Sequence, residues 1–531
     1  MAITDVSSIL SDVLVIGCGI SGASAALESA QLGLSVAVIT KEESIGESAT
    51  WYAQGGIAGI GADDSSELLA QDIIKAGDHY CYDETVRVVS EEGPHLIHEF
   101  LIRGLGVEFD RDESGEPDLT KEGAHSKRRI FHHKDASGQK MQMKLSDRLK
   151  AEKNITIYTL HQAIDLISFP HHSMNYARIY EDDFCCGAYV LDLTSGNVRN
   201  FFAKKVILAT GGIGQVYLHT TNPRCATGDG IAMAYRAHAN IINAEYVQFH
   251  PTALLSMDDE RFLISEALRG EGARLKNKRG EFFMPKYSPE YADLAPRDIV
   301  ARAIVEEMTG SGDNYVLLDI ASFWKNRSMS LKERFPTIYT KCKEKGIDIT
   351  TEPIPVVPVA HYFCGGIKTD LWGRTTLKNL YAVGETCCNG VHGANRLASI
   401  SLLEGMVWGI RAARKLNEEI SESNTAIPYD EVPNWEMPSG GETDPVLTSQ
   451  DTLNIRTIMW NYAGIVRTQK RLNRALADMN YLQHRIMDFY KESALSRGLI
   501  ELRNMIIVAR LIIESALRNK KSLGCHYLRH E

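Results

Sequence analysis

Side chains that could hold an anion beside a redox-active ring are concentrated in residues 358–403. An apolar run in this segment ends at Glu385, and a short polar loop then carries His392, Asn395 and Arg396 ahead of a helical pattern. The N-terminal end of a helix favours negative charge, and an arginine can bind a carboxylate through two parallel hydrogen bonds. The segment is therefore a candidate site for a flavin ring and an anionic substrate.

Glycines near the start of the sequence indicate a second part of the same site. Gly17, Gly19 and Gly22, with Ser21 among them, form a Gly-X-Gly-X-X-Gly pattern between a strand-like run and a helix-like run. In this context the glycines allow a tight turn, and the helix N-terminus faces the pyrophosphate of a dinucleotide. The acid that commonly follows the second strand is absent, because Thr40-Lys41 occupies that position. The pattern alone therefore leaves NAD and FAD open.

FAD is favoured by the separation of the candidate segments along the chain. A nicotinamide enzyme needs one compact binding fold, whereas here a glycine turn at residues 209–214 and an acid at Glu385 follow further strand-like runs. Glu385 could bind the ribityl hydroxyls, and a helix that begins near Ala398 could direct its positive end at the flavin N1/C2 carbonyl region. The alternative for Glu385 is a solvated loop acid.

These residues must be positioned by several domains, because 531 residues are too many for one core. The pattern predicts an α/β FAD-binding domain, Rossmann-like and discontinuous, at residues 1–243 and 353–426. Residues 244–352 show charged helical runs, proline-containing loops and little strand pattern, and are predicted to form an inserted α+β capping domain. A C-terminal helical bundle is predicted at residues 427–531, where apolar residues recur at helical spacing.

Composition narrows the class of protein. The net charge of −10 gives no general attraction to nucleic acid or anionic lipid, and no apolar run is long enough to span a membrane. Ten cysteines show no metal-ligand spacing, which favours free thiols in a reducing compartment. His132-His133 and His171-His172 lack further ligands at metal-binding spacing, so no metal is predicted. We expect a soluble, cytoplasmic protein that binds neither nucleic acid nor membranes.

Several motifs together resemble the succinate dehydrogenase/fumarate reductase flavoprotein superfamily, and within it the L-aspartate oxidase family. The resemblance covers nearly the whole sequence and includes the C-terminal helical runs. Its motifs are residues 48–56, His250-Pro251-Thr252, residues 265–272, Pro296-Arg297-Asp298 and residues 358–403.

The resemblance implies a non-covalent FAD. Respiratory members tether the flavin through a histidine, but Ala49 stands at that position here, and Gln54 replaces their glutamate. The cofactor-binding residues that the motifs and the resemblance imply are Gly17, Gly19, Ser21, Gly22, Lys41, Ser48, Thr50, Gln54, Gly55, Gly56, Ala209, Gly211, Gly212, Asp229, Glu385, Asn395, Ser399, Ser401 and Leu402.

The substrate site is expected to hold a four-carbon dicarboxylate, which needs cationic or hydrogen-bonding groups at both ends. By resemblance, Arg297 has the proton-transfer role in fumarate reduction, with help from Glu266 and Arg269, and Glu122 senses the amino group of the substrate. A solvated loop acid is the alternative for Glu122, and a surface arginine for Arg297. The implied substrate ligands are His250, Thr252, Ser265, His361 and Arg396.

The function that follows from the resemblance is oxidation of L-aspartate to iminoaspartate, the first step of de novo NAD biosynthesis through quinolinate. Oxygen or fumarate would reoxidise the flavin, and the labile product could be handed to quinolinate synthase. One alternative is a soluble fumarate reductase or a succinate dehydrogenase flavoprotein subunit. Another is a non-catalytic FAD-binding protein, against which the retained Arg297, His361 and Arg396 argue.

Overall fold

The computed structural model describes residues 8–255, 261–324, 329–422, 427–438 and 440–529. The ends of the predicted domains at residues 1–7, 423–426 and 530–531 lie outside this range. The strands are β1 (Ile9–Ile16), β2 (Val36–Ile39), β3 (Ile57–Ala58), β4 (Leu119–Thr120), β5 (Ile130–Phe131), β6 (Ile155–Tyr158), β7 (His161–Phe169), β8 (Phe184–Asp192), β9 (Val198–Leu208), β10 (Ile241–Ile242), β11 (Val247–Leu254), β12 (Arg274–Lys276), β13 (Val316–Asp319), β14 (Ile354–Phe363), β15 (Gly366–Lys368), β16 (Leu380–Ala382) and β17 (Cys387–Cys388).

Helices connect and cover these strands. A π-helical segment, Ile97–Gly104, continues α3. The α-helices are α1 (Ile20–Gln31), α2 (Ser66–Ala76), α3 (Asp83–Leu96), α4 (Ser137–Ala151), α5 (Asp229–Arg236), α6 (Ala267–Gly270), α7 (Met284–Tyr287), α8 (Arg297–Ser311), α9 (Leu331–Arg334), α10 (Pro336–Glu344), α11 (Ser401–Glu422), α12 (Pro445–Tyr462), α13 (Gln469–Glu492) and α14 (Arg497–Arg518).

The largest sheet has the strand order β6-β2-β1-β9-β8-β7, with β16 also paired to β9. β6, β2, β1, β9 and β16 run parallel, and β7 and β8 extend the sheet in antiparallel pairing. Side chains alternate between the two faces of a strand, so Val13 and Val15 pack into one core and Leu14 and Ile16 into another. Both faces of the parallel strands are therefore buried, and their carboxyl ends meet at one edge of the sheet.

A second sheet joins the segment predicted as the inserted domain to the chain that follows it. Its order is β11-β14-β13-β12, and all its pairs are antiparallel. Although the sequence pattern of residues 244–352 shows little strand, β11, β12 and β13 lie there. β14 begins at Ile354, after the predicted boundary at 352/353, and pairs with both β11 and β13. The domain boundaries themselves stay predictions.

The C-terminal region is helical, and it packs onto the largest sheet. Ile455, Met479 and Ile506, from α12, α13 and α14, share a core with Leu14 of β1. The protein thus combines mixed sheets and helices with a C-terminal helical region. Among the described residues, no helix combines the length and apolar character that crossing a bilayer requires.

Candidate active site

One large cavity, of about 1290 Å³, connects the turn after β1 with the second sheet. Its volume exceeds the roughly 300–1,000 Å³ typical of sites for drug-sized ligands, so it has room for a dinucleotide and a small substrate. The predicted site residues that line it are Gly17, Gly19, Ser21, Lys41, Ser48, Thr50, Gln54, Gly55, Gly56, Glu122, Ala209, Gly211, Gly212, Asp229, His250, Ser265, Glu266, Arg297, His361, Glu385, Arg396, Ser399, Ser401 and Leu402.

The first end of the cavity is built by the turn between β1 and α1. Gly17 has φ +107°, and a Cβ there would overlap the carbonyl oxygen of Ala209, the residue that follows β9, so only glycine fits. Gly19 precedes α1 without a side-chain cap, and the first turn of α1 holds no acid. Ile20 N–H donates to Thr50 Oγ1 at 3.0 Å. The helix N-terminus therefore presents backbone N–H groups and positive dipole to the cavity, as a pyrophosphate requires.

Lys41 follows β2, where a ribose-binding acid commonly stands. Its Nζ donates to Asp229 Oδ2 at 2.7 Å, to Glu501 Oε1 at 2.7 Å and to Thr227 Oγ1 at 2.8 Å. Burial opposes ionisation of Asp229, but Lys41 outweighs it and lowers the pKa of that carboxyl. Glu501 lies on α14 and lines the cavity. Carboxylates from α5 and α14 thus lie beside Lys41, near the end of β2 that lacks an acid.

The middle of the cavity has groups suited to a flavin. Gln54 is buried, and its Oε1 has no hydrogen-bond partner among the described residues. Glu385 Oε1 accepts from the backbone N–H of Phe363 at 3.0 Å, and desolvation raises the pKa of Glu385 to about 7. α11 begins at Ser401, and its N-terminal residues line the cavity. The uncapped α1 turn, the orphaned amide oxygen and this second helix start fit FAD.

Two histidines mark the far end of the cavity. The rings of His250 and His361 lie 5.0 Å apart, on the paired strands β11 and β14. His250 Nδ1 accepts from Thr252 N–H at 3.2 Å, and His361 Nδ1 lies 3.0 Å from Thr221 Oγ1. Desolvation and then the charge of Arg297 hold the pKa of both imidazoles well below 6.5. The rings are therefore neutral near pH 7 and can act as hydrogen-bonding groups toward a carboxylate.

Arg297 opens α8 and is buried against Glu266. Its Nε donates to Glu266 Oε2 at 2.5 Å, and Arg269 Nη2 lies 3.4 Å from Glu266 Oε1. Gln248 Oε1 accepts from Arg297 Nη1 at 3.3 Å. Burial opposes ionisation of Glu266, but the two arginines outweigh it and lower the pKa of its carboxyl to about 2. The cluster is thus an anion between two cations, of which Arg297 lines the cavity and Arg269 does not.

Glu122 is a second buried acid at the same end. Its Oε2 accepts from Ser399 Oγ at 2.5 Å. Desolvation, and then the negative charge of Glu266, raise the pKa of Glu122. A carboxyl in this state gains from a cation, so the ammonium of a bound amino acid would be a favourable partner.

Four residues with predicted roles do not line the cavity. Thr252 Oγ1 donates to Ile264 O at 2.9 Å. The threonine contacts His250 through its backbone N–H. Gly22 packs α1 against the turn at Gly17. Asn395 Nδ2 donates to Ala76 O and to Asp298 Oδ1, and its Oδ1 accepts from Gln248. Arg269 lies behind Glu266. In this arrangement Asn395 joins α8 to the chain before α11 and makes no contact with the cavity.

Sequence reasoning missed Gln248, Tyr362 and Glu501. Gln248 holds Arg297, and Tyr362 lies under Arg396 with its ring centroid 4.3 Å from the guanidinium carbon. Tyr362 directly follows the predicted ligand His361, and this position in the sequence could have indicated that Tyr362 is also near the site. Glu501 had none, because 460 residues separate it from Lys41.

Comparisons with known proteins identify the family of this chain. The FAD binding domain family matches residues 12–402, and the fumarate reductase flavoprotein C-terminal family matches residues 452–530. L-aspartate oxidase 1 of Ralstonia nicotianae is 45% identical over 98% of this chain and 95% of its own length. The L-aspartate oxidase of Vibrio cholerae is 43% identical over 97% and 95%. The chain belongs to the L-aspartate oxidase family. The predicted family is confirmed, and the cofactor of this family member is FAD.

Two solved structures are similar to nearly the whole of this chain. The FrdA subunit of E. coli quinol fumarate reductase has a TM-score of 0.86 at 27% identity and covers 98% of this chain and 92% of its own. Mycobacterium smegmatis Sdh1 has a TM-score of 0.78 at 29% identity, with 98% and 88% covered. Ala49 offers no nucleophile at the position of the tethering histidine, so the FAD of this family member is held without a covalent bond there.

Proposed function

We propose that the protein oxidises L-aspartate to iminoaspartate, the first step of de novo NAD biosynthesis. Membership of the L-aspartate oxidase family supports the activity. The observation that carries the substrate assignment is the convergence of Arg396, Arg297, His250 and His361 on one end of the FAD cavity, beside the buried acid Glu122. Cationic and imidazole groups fit two carboxylates, and the acid fits an ammonium.

The group has side chains that could bind a carboxylate at each end of the substrate. Arg396 is buried and donates one hydrogen bond, to Ser401 Oγ at 3.1 Å, while its Nε has no hydrogen-bond partner among the described residues. It can therefore grip one carboxylate, and His250, His361 and Ser265 provide hydrogen bonds for the other. FAD supplies the two-electron acceptor for the Cα hydrogen of the substrate. Holding the substrate in one orientation contributes several kcal/mol to a reaction of this kind.

Glu122 would recognise the amino group and take part in its proton balance. Because the pKa of Glu122 is raised, the carboxyl can accept a proton from the substrate ammonium as the imine forms. Ser399 keeps its Oε2 oriented. A dicarboxylate without an amino group would meet an unpaired buried acid, which disfavours succinate as a reductant relative to aspartate.

Fumarate could serve as the acceptor that returns the flavin to its oxidised state. In that direction Arg297 would supply a proton to the dicarboxylate, and Glu266 with Arg269 would replace it. The strong Arg297–Glu266 contact gives such a proton a defined partner. Oxygen is the other candidate acceptor, and transfer of the labile iminoaspartate to quinolinate synthase is a further hypothesis.

The rival function is that of a fumarate reductase or succinate dehydrogenase flavoprotein subunit, which the likeness to FrdA and Sdh1 favours. Anaerobic titration of the purified yellow protein distinguishes the two. We expect L-aspartate to bleach the flavin absorbance and succinate to leave it oxidised. Bleaching by succinate alone would refute the aspartate assignment, and product analysis for the imine or for ammonia checks the chemistry.

A further inference from the structure

Arg396 is a buried cation that forms no ion pair with an acid within the described part of the chain, although the charges of Glu385 and Glu122 act on it from beyond ion-pair distance. Its side chain is 4% exposed, makes one hydrogen bond to Ser401, and enters no ion pair there. What lies against the guanidinium is the ring of Tyr362, 4.3 Å from the guanidinium carbon. A cation over an aromatic face is attracted by the ring quadrupole, and this attraction is stronger when the pair is desolvated.

Contact with an aromatic ring affects Arg396 differently from pairing with a carboxylate. A carboxylate paired with Arg396 would occupy the same N–H groups that a substrate carboxylate needs, and would cancel the charge that attracts it. A ring contacts the face of the planar guanidinium and leaves its N–H edge free for a bidentate hydrogen bond. Tyr362 can therefore stabilise Arg396 without competing with the ligand.

Hydrogen bonds of its hydroxyl group fix the position of the Tyr362 ring. Tyr362 Oη donates to Glu404 Oε2 at 3.1 Å and lies 3.1 Å from His392 Nε2. The His392 ring stands perpendicular to the Tyr362 ring, with centroids 5.1 Å apart, and its Nε2 is 3.1 Å from Glu404 Oε2. Asn389 Nδ2 donates to the other oxygen, Glu404 Oε1, at 2.9 Å.

This buried group also affects the charge distribution of the ring. Glu404 is 1% exposed and lies in the first turn of α11. Desolvation and then the charge of Glu404 raise the pKa of Tyr362 well above 10, so the hydroxyl keeps its proton and stays a donor. A phenol that donates to a carboxylate has a more electron-rich ring, and hydrogen-bonded groups polarise one another in a low dielectric. The Tyr362 ring thus lies between the cationic Arg396 and the anionic Glu404.

We propose that Tyr362 is a positioning residue that keeps the Arg396 guanidinium oriented and unneutralised for a substrate carboxylate, with Glu404 and His392 fixing the Tyr362 ring. The inference rests on the proposed function, since it assumes a dicarboxylate at Arg396. Glu404 does not line the cavity and acts only through Tyr362.

The test compares three variants of the FAD-loaded enzyme. Tyr362→Leu removes the ring, Tyr362→Phe keeps the ring and removes the hydroxyl, and Glu404→Gln keeps an acceptor and removes the charge. We measure KM and kcat for L-aspartate, and the Kd of succinate from the change it causes in the flavin spectrum. Arg396 binds substrate and transition state alike, so its disorder should raise KM and leave kcat nearly unchanged.

For Tyr362→Leu we expect KM and the succinate Kd to rise about tenfold, within the range of a desolvated cation–π contact. Tyr362→Phe should recover most of this loss and stay within about threefold of the wild type, and Glu404→Gln should do the same. The matched control is Tyr217→Phe. Tyr217 is also fully buried, donates to Ala463 O at 3.2 Å and does not line the cavity. It should leave both constants unchanged.

The outcomes separate the two proposals. If the wild type neither oxidises L-aspartate nor binds succinate, the proposed function fails and this inference fails with it. If the wild type does both, and Tyr362→Leu keeps KM and Kd within twofold, only the inference is overturned. It is overturned equally if Tyr217→Phe raises the succinate Kd as much as Tyr362→Leu does, or if Tyr362→Leu lowers kcat while KM stays constant.

Discussion

Replacing Glu266 with Gln tests the electrostatics of the site most directly. The carboxyl group is buried between Arg297 and Arg269, at 2.5 Å and 3.4 Å, and has a pKa of about 2 against the usual 4.5. The difference between these pKa values corresponds to about 3 kcal/mol of stability at pH 7. It agrees with the ~3–5 kcal/mol that removal of one partner from a buried ion pair typically costs.

The effect is measurable by thermal unfolding. An unfolding entropy of about 2.1 cal/mol/K per residue gives about 1.1 kcal/mol/K for a chain of this length, so the Tm of Glu266→Gln should fall by about 3 °C. Glu418→Gln is the control, because Glu418 lies on the surface in an exposed pair with Lys415. Its Tm should change by less than about 1 °C. Both variants are measured with FAD in excess, so that cofactor loss does not contribute.

The pH dependence of this stability difference tests the direction of the Glu266 pKa shift. A carboxyl whose pKa is lower in the folded state stabilises the protein above its unfolded pKa, and this contribution is lost as pH falls through the folded value. The difference between wild type and Glu266→Gln should therefore be constant from pH 6 to 8 and shrink to less than half of that value at pH 3. A difference that grows on acidification, or a Tm equal to that of the wild type at pH 7, would refute the charge arrangement described for this site.

Three other perturbations follow from the structure. Glu122→Gln should lower kcat/KM for L-aspartate by about 10²-fold, in the range for a lost general base, while fumarate reduction by the reduced enzyme changes less than about threefold in stopped-flow assays. Glu501→Gln removes a charged partner of Lys41 in the cavity wall and should weaken FAD binding about tenfold, in the range for one lost charged hydrogen bond, and Glu514→Gln on the same helix should not; fluorescence titration of the apoprotein with FAD measures both. Acid precipitation should release all of the yellow flavin into the supernatant, since Ala49 cannot form the histidyl bond, and colour retained in the pellet would contradict this.

Local pattern was sufficient for the elements that begin the fold. The Gly-X-Gly-X-X-Gly segment between an apolar run and a helical run predicted β1, its turn and α1, because each depends on residues within a few positions of one another. The same reasoning failed for β11, β12 and β13. These strands are short or contain polar functional residues such as His250. Their pairing partners are distant in sequence, since β11 pairs with β14 about 100 positions away and β12 pairs with β13 about 40 positions away.

The sequence by itself determined the candidate residue types of the site: a glycine turn for a pyrophosphate, two histidines and Arg396 for a dicarboxylate, and Arg297 with Arg269 and Glu266 for proton transfer. Only the tertiary structure decided which of them meet. It brought Glu501 to Lys41, placed Tyr362 beneath Arg396, and turned Asn395 away from the cavity. The physical reason is that hydrogen bonds and ion pairs act over a few ångströms, whereas chain separation does not limit contact once helices and sheets pack.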